Sequence, residues 1–186
     1  MNPTRRAVLK ACVAAGVCGR VRVAASASQD DPLSLRPQAG DRLVRAGDDA
    51  RAPLGADAIT RGAAPTVAWP MDAEGRVRSG SRFNQLLLLR FDADALAPDT
   101  LARAADGVVA YSGICTHSGC DVDDWQPGEQ IMSCSCHLSA FDPRDGAKVV
   151  DGPAPRPLPA LPLAIVDGRL SVAKPFTARV GFQGGF

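Results

Sequence analysis

Two short segments of this chain each carry a cysteine and a histidine that could bind a metal. One residue separates Cys115 from His117, and two residues separate Cys134 from His137. Thiolates and imidazoles are common ligands of zinc, copper and iron. The chain has only two histidines, and both fall at this spacing from a cysteine, which chance rarely arranges. The pattern predicts a metal site with mixed sulfur and nitrogen ligands.

The number and positions of the cysteines limit which kinds of metal site are possible. Of six cysteines, two lie near the N-terminus and four lie in the two segments, at positions 115, 120, 134 and 136. A site with four thiolates would leave both histidines unexplained. Zinc accepts two cysteines and two histidines in a tetrahedron, although zinc modules more often use paired Cys-x-x-Cys or His-x-x-x-His spacing. A metal-free framework of two disulfides is a further alternative.

The two segments resemble the cluster-binding motifs of Rieske iron–sulfur proteins, C-T-H-x-G-C and C-P-C-H-G-S. The matching residues are 115–120 and 134–139, and residues 152–155, Gly-Pro-Ala-Pro, are similar to the proline loop of that family. The resemblance implies an all-β fold, a Rieske-type antiparallel β-sandwich. It also implies an inserted cluster-binding subdomain, which we expect at about residues 107–159 within a Rieske domain at residues 41–186.

The resemblance also implies a set of ligands. Cys115 and Cys134 would bind one iron of a single [2Fe–2S] cluster, and His117 and His137 would bind the other. The chemistry expected of such a centre is the transfer of single electrons.

Five further residues take roles from the same resemblance. Cys120 and Cys136 match a disulfide between the two motifs, and Ser139 matches a serine whose hydroxyl donates to a cluster sulfur. Phe141 stands where high-potential members have a tyrosine, and Leu138 replaces a glycine beside the last histidine. We therefore expect Ser139, Phe141 and Leu138 to tune the cluster, and Phe141 to lower its reduction potential.

The N-terminus resembles a twin-arginine export signal. Arg5 and Arg6 precede an apolar run at residues 11–19, and Val8 stands where phenylalanine is usual. Residues 25–27, Ala-Ser-Ala, match a cleavage site. The apolar run is shorter than the roughly 20 residues that span a bilayer. We expect a signal peptide at residues 1–27 and a periplasmic protein, with membrane association only through an uncleaved N-terminal segment or a partner.

Removal of the signal would change the charge of the protein. Residues 1–27 contain five basic residues and no acid, so their loss lowers the formal net charge from +1 to −4. A mildly acidic protein is a poor candidate for binding nucleic acid or an anionic membrane. It would suit a protein redox partner with a basic face. Residues 28–40 are polar and contain prolines, which predicts a linker.

Short apolar runs separated by glycine and proline turns predict the strands of an antiparallel all-β fold. The sequence Val-Asp-Gly-Arg-Leu at residues 166–170 indicates a hairpin, and residues 100–105 indicate one or two helical turns after a cap at Asp99 or Thr100. The predicted strands cover residues 42–45, 66–69, 85–91, 108–112, 130–133, 163–166 and 170–172.

These observations favour an exported electron carrier, or the small subunit of a respiratory oxidoreductase, with no substrate site of its own. Its partners would be a cytochrome or a catalytic subunit. The alternative is the iron–sulfur subunit of a quinol–cytochrome c reductase (bc) complex; the small subunit of arsenite oxidases is also similar. A redox sensor based on a reversible Cys120–Cys136 bond is a third possibility. A Rieske oxygenase is excluded because its second iron site needs histidines that this chain lacks.

Overall fold

The computed structural model describes residues 31–182, which form ten strands, one short α-helix and three short 3₁₀ helices, at Ala56–Ala58, Arg82–Asn84 and Ala93–Ala95. The predicted signal peptide lies outside the described residues. The elements are β1 (Arg42–Arg45), β2 (Thr66–Met71), β3 (Leu86–Arg90), α1 (Pro98–Leu101), β4 (Val108–Ser112), β5 (Asp124–Gln126), β6 (Ile131–Cys134), β7 (Ser139–Asp142), β8 (Lys148–Asp151), β9 (Leu163–Val166) and β10 (Arg169–Val172).

Six strands form the larger sheet, here called the base sheet. Its order is β4-β3-β2-β1-β10-β9, and every pair is antiparallel. The segment before β9 also pairs with β4 through a bridge between Tyr111 and Ala160, and the Leu161 amide donates to the Ala110 carbonyl at 2.9 Å. The two ends of the sheet therefore approach each other, which leaves few open backbone groups at the β4 edge.

The remaining four strands form a smaller antiparallel sheet, the inserted sheet, in the order β5-β6-β7-β8. In the chain it lies between β4 and β9, and we call residues 113–162 the insert. The prediction of an all-β antiparallel fold is confirmed.

The leucine run of β3 shows how the two sheets are joined. Leu86 and Leu88 pack into the core of the base sheet, whereas Leu87 and Leu89 pack into the core under the insert. Neighbouring side chains of a strand point to opposite faces. A strand that is buried on both faces therefore has an unbroken apolar sequence. The base sheet thus supplies part of the packing surface beneath the insert.

All seven strands predicted from the sequence are present, with ends shifted by at most two residues. Strands β5, β7 and β8 were not predicted. The helix prediction was wrong in its bounds and its cap, since α1 covers Pro98–Leu101 and its N-cap Ala97 makes no side-chain hydrogen bond. The fixed φ of Pro98 favours a helix start at this residue. Thr100 lies within the helix, and its hydroxyl accepts a hydrogen bond from the Gly146 amide at 2.8 Å.

The described part of the predicted linker, residues 31–40, is held against the base sheet. The Gly40 amide donates to the Val172 carbonyl at 2.9 Å, and the Asn84 side chain donates to the Leu35 carbonyl at 2.7 Å. Next to it, Arg78 forms a buried two-pronged ion pair with Asp41, at 2.6 and 3.0 Å. Within residues 31–182, no helix has both the length and the apolar character needed to cross a bilayer.

Candidate metal centre

Both candidate ligand segments are short loops at the end of a strand. The Cys115 loop (residues 113–121) follows β4 and is closed by hydrogen bonds from the Cys115 amide to the Cys120 carbonyl at 2.8 Å and from the Gly119 amide to the Cys115 carbonyl at 3.1 Å. The Cys134 loop (residues 134–139) is the turn of the β6–β7 hairpin, and the Leu138 amide donates to the Cys134 carbonyl at 2.9 Å. These hydrogen bonds fix the backbone that carries the ligands.

A disulfide between Cys120 and Cys136 joins the two loops. The predicted disulfide is therefore confirmed. The Sγ atoms of both cysteines lie within 4.8 Å of the Cys134 Sγ, so the bond packs directly against one of the remaining thiols. Within the described part of the chain, Cys115 and Cys134 are buried and form no disulfide, which excludes a metal-free framework of two disulfides between the two segments.

The two free thiols lie in an apolar environment. Cys115 is 1 % exposed and Cys134 is 2 % exposed, and both belong to the core beneath the insert. Burial raises the pKa of the Cys134 thiol, and the neighbouring Cys115 raises it further. The Cys134 thiol is therefore a weaker acid than an exposed cysteine, and a bound metal cation would stabilise its thiolate.

The two imidazoles stand next to each other. The ring centroids of His117 and His137 lie 4.6 Å apart, and the ring planes meet at 88°. His117 is half-buried, and its Nδ1 atom is buried without a hydrogen-bond partner among the described residues. A buried polar atom without a partner is costly unless something else binds it. His137 is exposed, so one of the two rings faces solvent.

Residues 152–159, here called the proline loop, lie over both ligand loops. The Ala154 amide donates to the Ser139 hydroxyl at 3.1 Å, and the Thr116 hydroxyl donates to the Arg156 carbonyl at 2.6 Å. Ser139 is fully buried. Because its oxygen already accepts one hydrogen bond, its O–H hydrogen remains available as a donor.

The other two residues that we expected to tune the site differ in their surroundings. Phe141 is fully buried on β7, where it pairs with Met132 and Val149. Leu138 is 71 % exposed, and its backbone adopts a left-handed φ of +60°. This conformation costs a leucine about 1 kcal/mol, which explains why a glycine fits the position well.

The structure also adds positioning contacts that the sequence did not suggest. The Asp123 carboxylate accepts hydrogen bonds from the Ser135 amide at 3.0 Å and hydroxyl at 2.7 Å, which lowers the pKa of Asp123. The Tyr111 hydroxyl donates to the Pro143 carbonyl at 2.7 Å. Asp123 thereby holds the Cys134 loop, and Tyr111 ties the base sheet to the insert. Thr116 was within reach of sequence reasoning, since it lies inside the first motif.

A comparison with known protein families shows which family has this arrangement of cysteines and histidines. Residues 74–162 match the Rieske [2Fe–2S] domain family. The protein carries a Rieske domain. A domain of this family holds one [2Fe–2S] cluster and transfers electrons. The side chains brought together here fit that cofactor, since they offer two buried thiols and a buried imidazole nitrogen that has no partner within residues 31–182.

Curated relatives of the Rieske domain belong to respiratory complexes. The cytochrome bc1 complex Rieske iron–sulfur subunit of Streptomyces lividans is 38% identical over 98 residues, which are 52% of this chain and 58% of the relative. A putative respiratory nitrate reductase Rieske subunit of Haloferax mediterranei is 39% identical over 106 residues, 56% of this chain and 47% of the relative. The chain thus matches about half the length of these relatives.

A solved structure with a similar fold is the soluble domain of the Rieske protein II of Sulfolobus acidocaldarius. It is 24% identical, and the alignment covers 52% of this chain and 66% of that one with a TM-score of 0.38.

Proposed function

We propose that this Rieske protein is an exported one-electron carrier, or the small subunit of a respiratory oxidoreductase, in the periplasm. We further propose that Cys115 and Cys134 ligate one iron of its cluster and that His117 and His137 ligate the other. The observation that supports this most strongly is the pairing of two buried free thiols with two adjacent imidazoles, on loops joined by a disulfide.

The bound cluster supplies one-electron redox chemistry at potentials of roughly −150 to +300 mV. The chain sets the surroundings. The buried thiols and the proline loop keep water away from the sulfur side, and Ser139 presents a hydroxyl donor there. Phe141 presents none, which favours a lower potential than a tyrosine would give. The exposed His137 marks the surface at which electrons enter and leave.

Chemical analysis and redox titration test this proposal directly. The purified protein should contain two irons and two acid-labile sulfides per chain, and its visible absorbance should bleach on uptake of one electron. A protein that holds one zinc and no sulfide would contradict the proposal, since zinc is the competing metal for two cysteines and two histidines.

The export route needs its own experiment. Replacing Arg5 and Arg6 with lysine should leave the loaded protein in the cytoplasm, because the pathway reads the arginine pair. The control is Arg20→Lys with Arg22→Lys, which preserves charge outside the motif. Equal export of both variants would show that the arginine pair is not a signal.

The second candidate function is the iron–sulfur subunit of a bc complex, which the Streptomyces relative favours. Fractionation of cells decides between the two. A carrier should be released with the periplasmic fraction, whereas a bc subunit should remain in the membrane and purify with a cytochrome b.

A further inference from the structure

A cleft of about 330 Å³ opens beside the Cys115 loop. Four parts of the chain form it: Arg36, residues 82–83, the turn at residues 118–119, and the segment at residues 179–182. The turn lies between His117 and Cys120, so the cleft borders the loop that we assign to the cluster. The charged and aromatic side chains that line it are Arg36, Arg82, Arg179, Phe83 and Phe182.

The cleft, here called the arginine cleft, carries more positive charge than its neighbours neutralise. Arg82 pairs with Asp121 at 2.6 Å. Arg36 and Arg179 form no ion pair with a carboxylate among residues 31–182. Burial and the charge of Arg179 lower the pKa of Arg36, although a guanidinium stays charged at neutral pH. The two arginines therefore repel each other without compensation.

The guanidinium of Arg156 adds further positive charge next to Arg179. Burial and the charge of Arg179 also lower the pKa of Arg156. One of its nitrogens, Nη2, donates to the Gly181 carbonyl at 2.5 Å, whereas Nε and Nη1 are buried without a partner in the described part of the chain. Like charges held together in this way favour the binding of an anionic group.

The guanidinium of Arg36 is held in place rather than free in solvent. The Arg36 guanidinium lies over the Phe83 ring at 5.2 Å from its centroid and donates to the Phe83 carbonyl at 2.9 Å. Phe83 is 37 % exposed and Phe182 is 52 % exposed. The cleft therefore offers at least one fixed cationic donor, Arg36, next to exposed apolar rings, a combination common in protein interfaces.

We propose that the arginine cleft docks an acidic segment of a protein redox partner. This inference rests on the proposed electron-transfer function and names the chemistry of the partner surface. A segment bound there would lie against the Ser118–Gly119 turn and so bring the partner next to His117. The cleft is basic even though the protein without residues 1–27 has a formal net charge of −4. The positive charge of the cleft therefore favours an acidic partner surface, whereas the negative net charge by itself would favour a basic one.

The test uses fluorescein-labelled hexaglutamate as the probe, the loaded full-length protein, and fluorescence anisotropy at about 20 mM ionic strength, where screening is weak. Arg36→Gln with Arg179→Gln should weaken binding about tenfold, equivalent to about 1.4 kcal/mol. The control is Arg51→Gln with Arg169→Gln, which removes the same charge outside the cleft and should change binding less than about twofold. Hexalysine should not bind at this site.

Two measurements keep the result interpretable. Arg36 also donates to a backbone carbonyl, so the single variant Arg179→Glu serves if the double variant fails to fold. The absorbance of the oxidised cluster reports the proposed electron-transfer function separately. A normal cluster with no hexaglutamate binding overturns the docking proposal alone, whereas the absence of a cluster overturns the proposed function.

Three further results would overturn the docking proposal. The first is equal weakening by the cleft variants and the control variants, which would show an effect of net charge only. The second is binding that persists unchanged in about 0.5 M salt, since screened surface charges should lose most of their attraction. The third is displacement of the peptide by inorganic phosphate at equal concentration, which would indicate a site for small anions only.

Discussion

The core of the base sheet is aliphatic, whereas the core beneath the insert contains two thiols, Tyr111, two phenylalanines and a methionine. The sheets differ in burial as well. Strands β3 and β4 are buried along almost their whole length, but β5 and β8 have mostly exposed side chains. The base sheet can thus be stabilised by ordinary apolar packing. The insert is a small sheet with exposed outer strands, and such a sheet has little core of its own.

Specific bonds, here called ties, hold the insert together and connect it to the base sheet. The disulfide joins its two ligand loops, the proline loop is hydrogen-bonded to both, and Tyr111 links it to the base sheet. We infer that the stability of the insert depends on these ties and on the cluster, while that of the base sheet does not. The following experiments perturb the cluster, the disulfide and the proline loop, and compare them with an ion pair of the base sheet.

The largest expected effect is the loss of the cluster when a proposed ligand is removed. Cys115→Ser or Cys134→Ser should abolish the visible absorbance, because serine is a much poorer ligand for iron in such a cluster. Hydrogen exchange should show an insert that opens more often and a base sheet that stays protected. The control is Ser133→Ala, next to Cys134, which should keep its cluster. Retention of a full cluster in either cysteine variant would rule out that ligand.

Breaking the buried ion pair of the base sheet should destabilise the whole protein. Asp41→Asn leaves the Arg78 guanidinium buried without its partner charge, a loss of about 3–5 kcal/mol. Urea unfolding of the variant should show both sheets destabilised together. The matched control is Asp167→Asn, since the Arg42–Asp167 pair is at the surface and should contribute less than about 1 kcal/mol. Equal effects of the two variants would contradict the assigned role of the buried pair.

Removing the disulfide should affect the insert alone. Cys120→Ser with Cys136→Ser opens a link between residues 16 positions apart, with a loss of about 2–4 kcal/mol. The variant should release iron to a chelator faster than the wild type. Hydrogen exchange in β1 and β2 provides an internal control and should not change. The same rate of iron release with and without the bond would mean that it does not hold the two loops together.

A pair of glycine variants measures the close approach of the proline loop. Gly152 and Gly168 have φ values of +81° and +72°, so alanine costs each about 1 kcal/mol of backbone strain. At Gly152 the added Cβ would also lie 2.5 Å from the Ser139 Cα and 2.7 Å from the Leu138 carbonyl oxygen, whereas at Gly168 it would meet nothing within 4 Å.

Gly152→Ala should therefore destabilise the insert by about 1–3 kcal/mol more than Gly168→Ala destabilises the hairpin. Thermal unfolding and the rate of iron release measure the difference. Similar values for the two variants would show that the proline loop is free to move away from the Cys134 loop.

The two regions also differ in how well the sequence predicts them. Strands such as β3 and β4 are apolar because both faces are buried, so their sequence shows them directly. The strands β7 and β8 were not predicted from the sequence, and the reason differs between them. Residues 139–142 begin at the last residue of a motif that we interpreted as a ligand loop, and residues 148–151 are mostly exposed and lack an apolar pattern.

The candidate ligands and the disulfide came from the resemblance of two motifs to those of Rieske proteins. The contacts that position these residues could not be predicted from the motifs. The hydrogen bond from Tyr111 to Pro143 depends on how the insert packs on the base sheet. The hydrogen bonds from Ser135 to Asp123 depend on the register of the β5–β6 pair. A single sequence contains no local pattern for such pairs.

The most direct test of the account is electron–nuclear double resonance on the reduced protein labelled with ¹⁵N-histidine. Because the chain has only His117 and His137, any histidine nitrogen coupled to the cluster spin must come from one of them. The account predicts couplings from two inequivalent nitrogens, and their loss in a sample with unlabelled histidine. A reduced cluster with no histidine coupling would contradict mixed sulfur and nitrogen ligation.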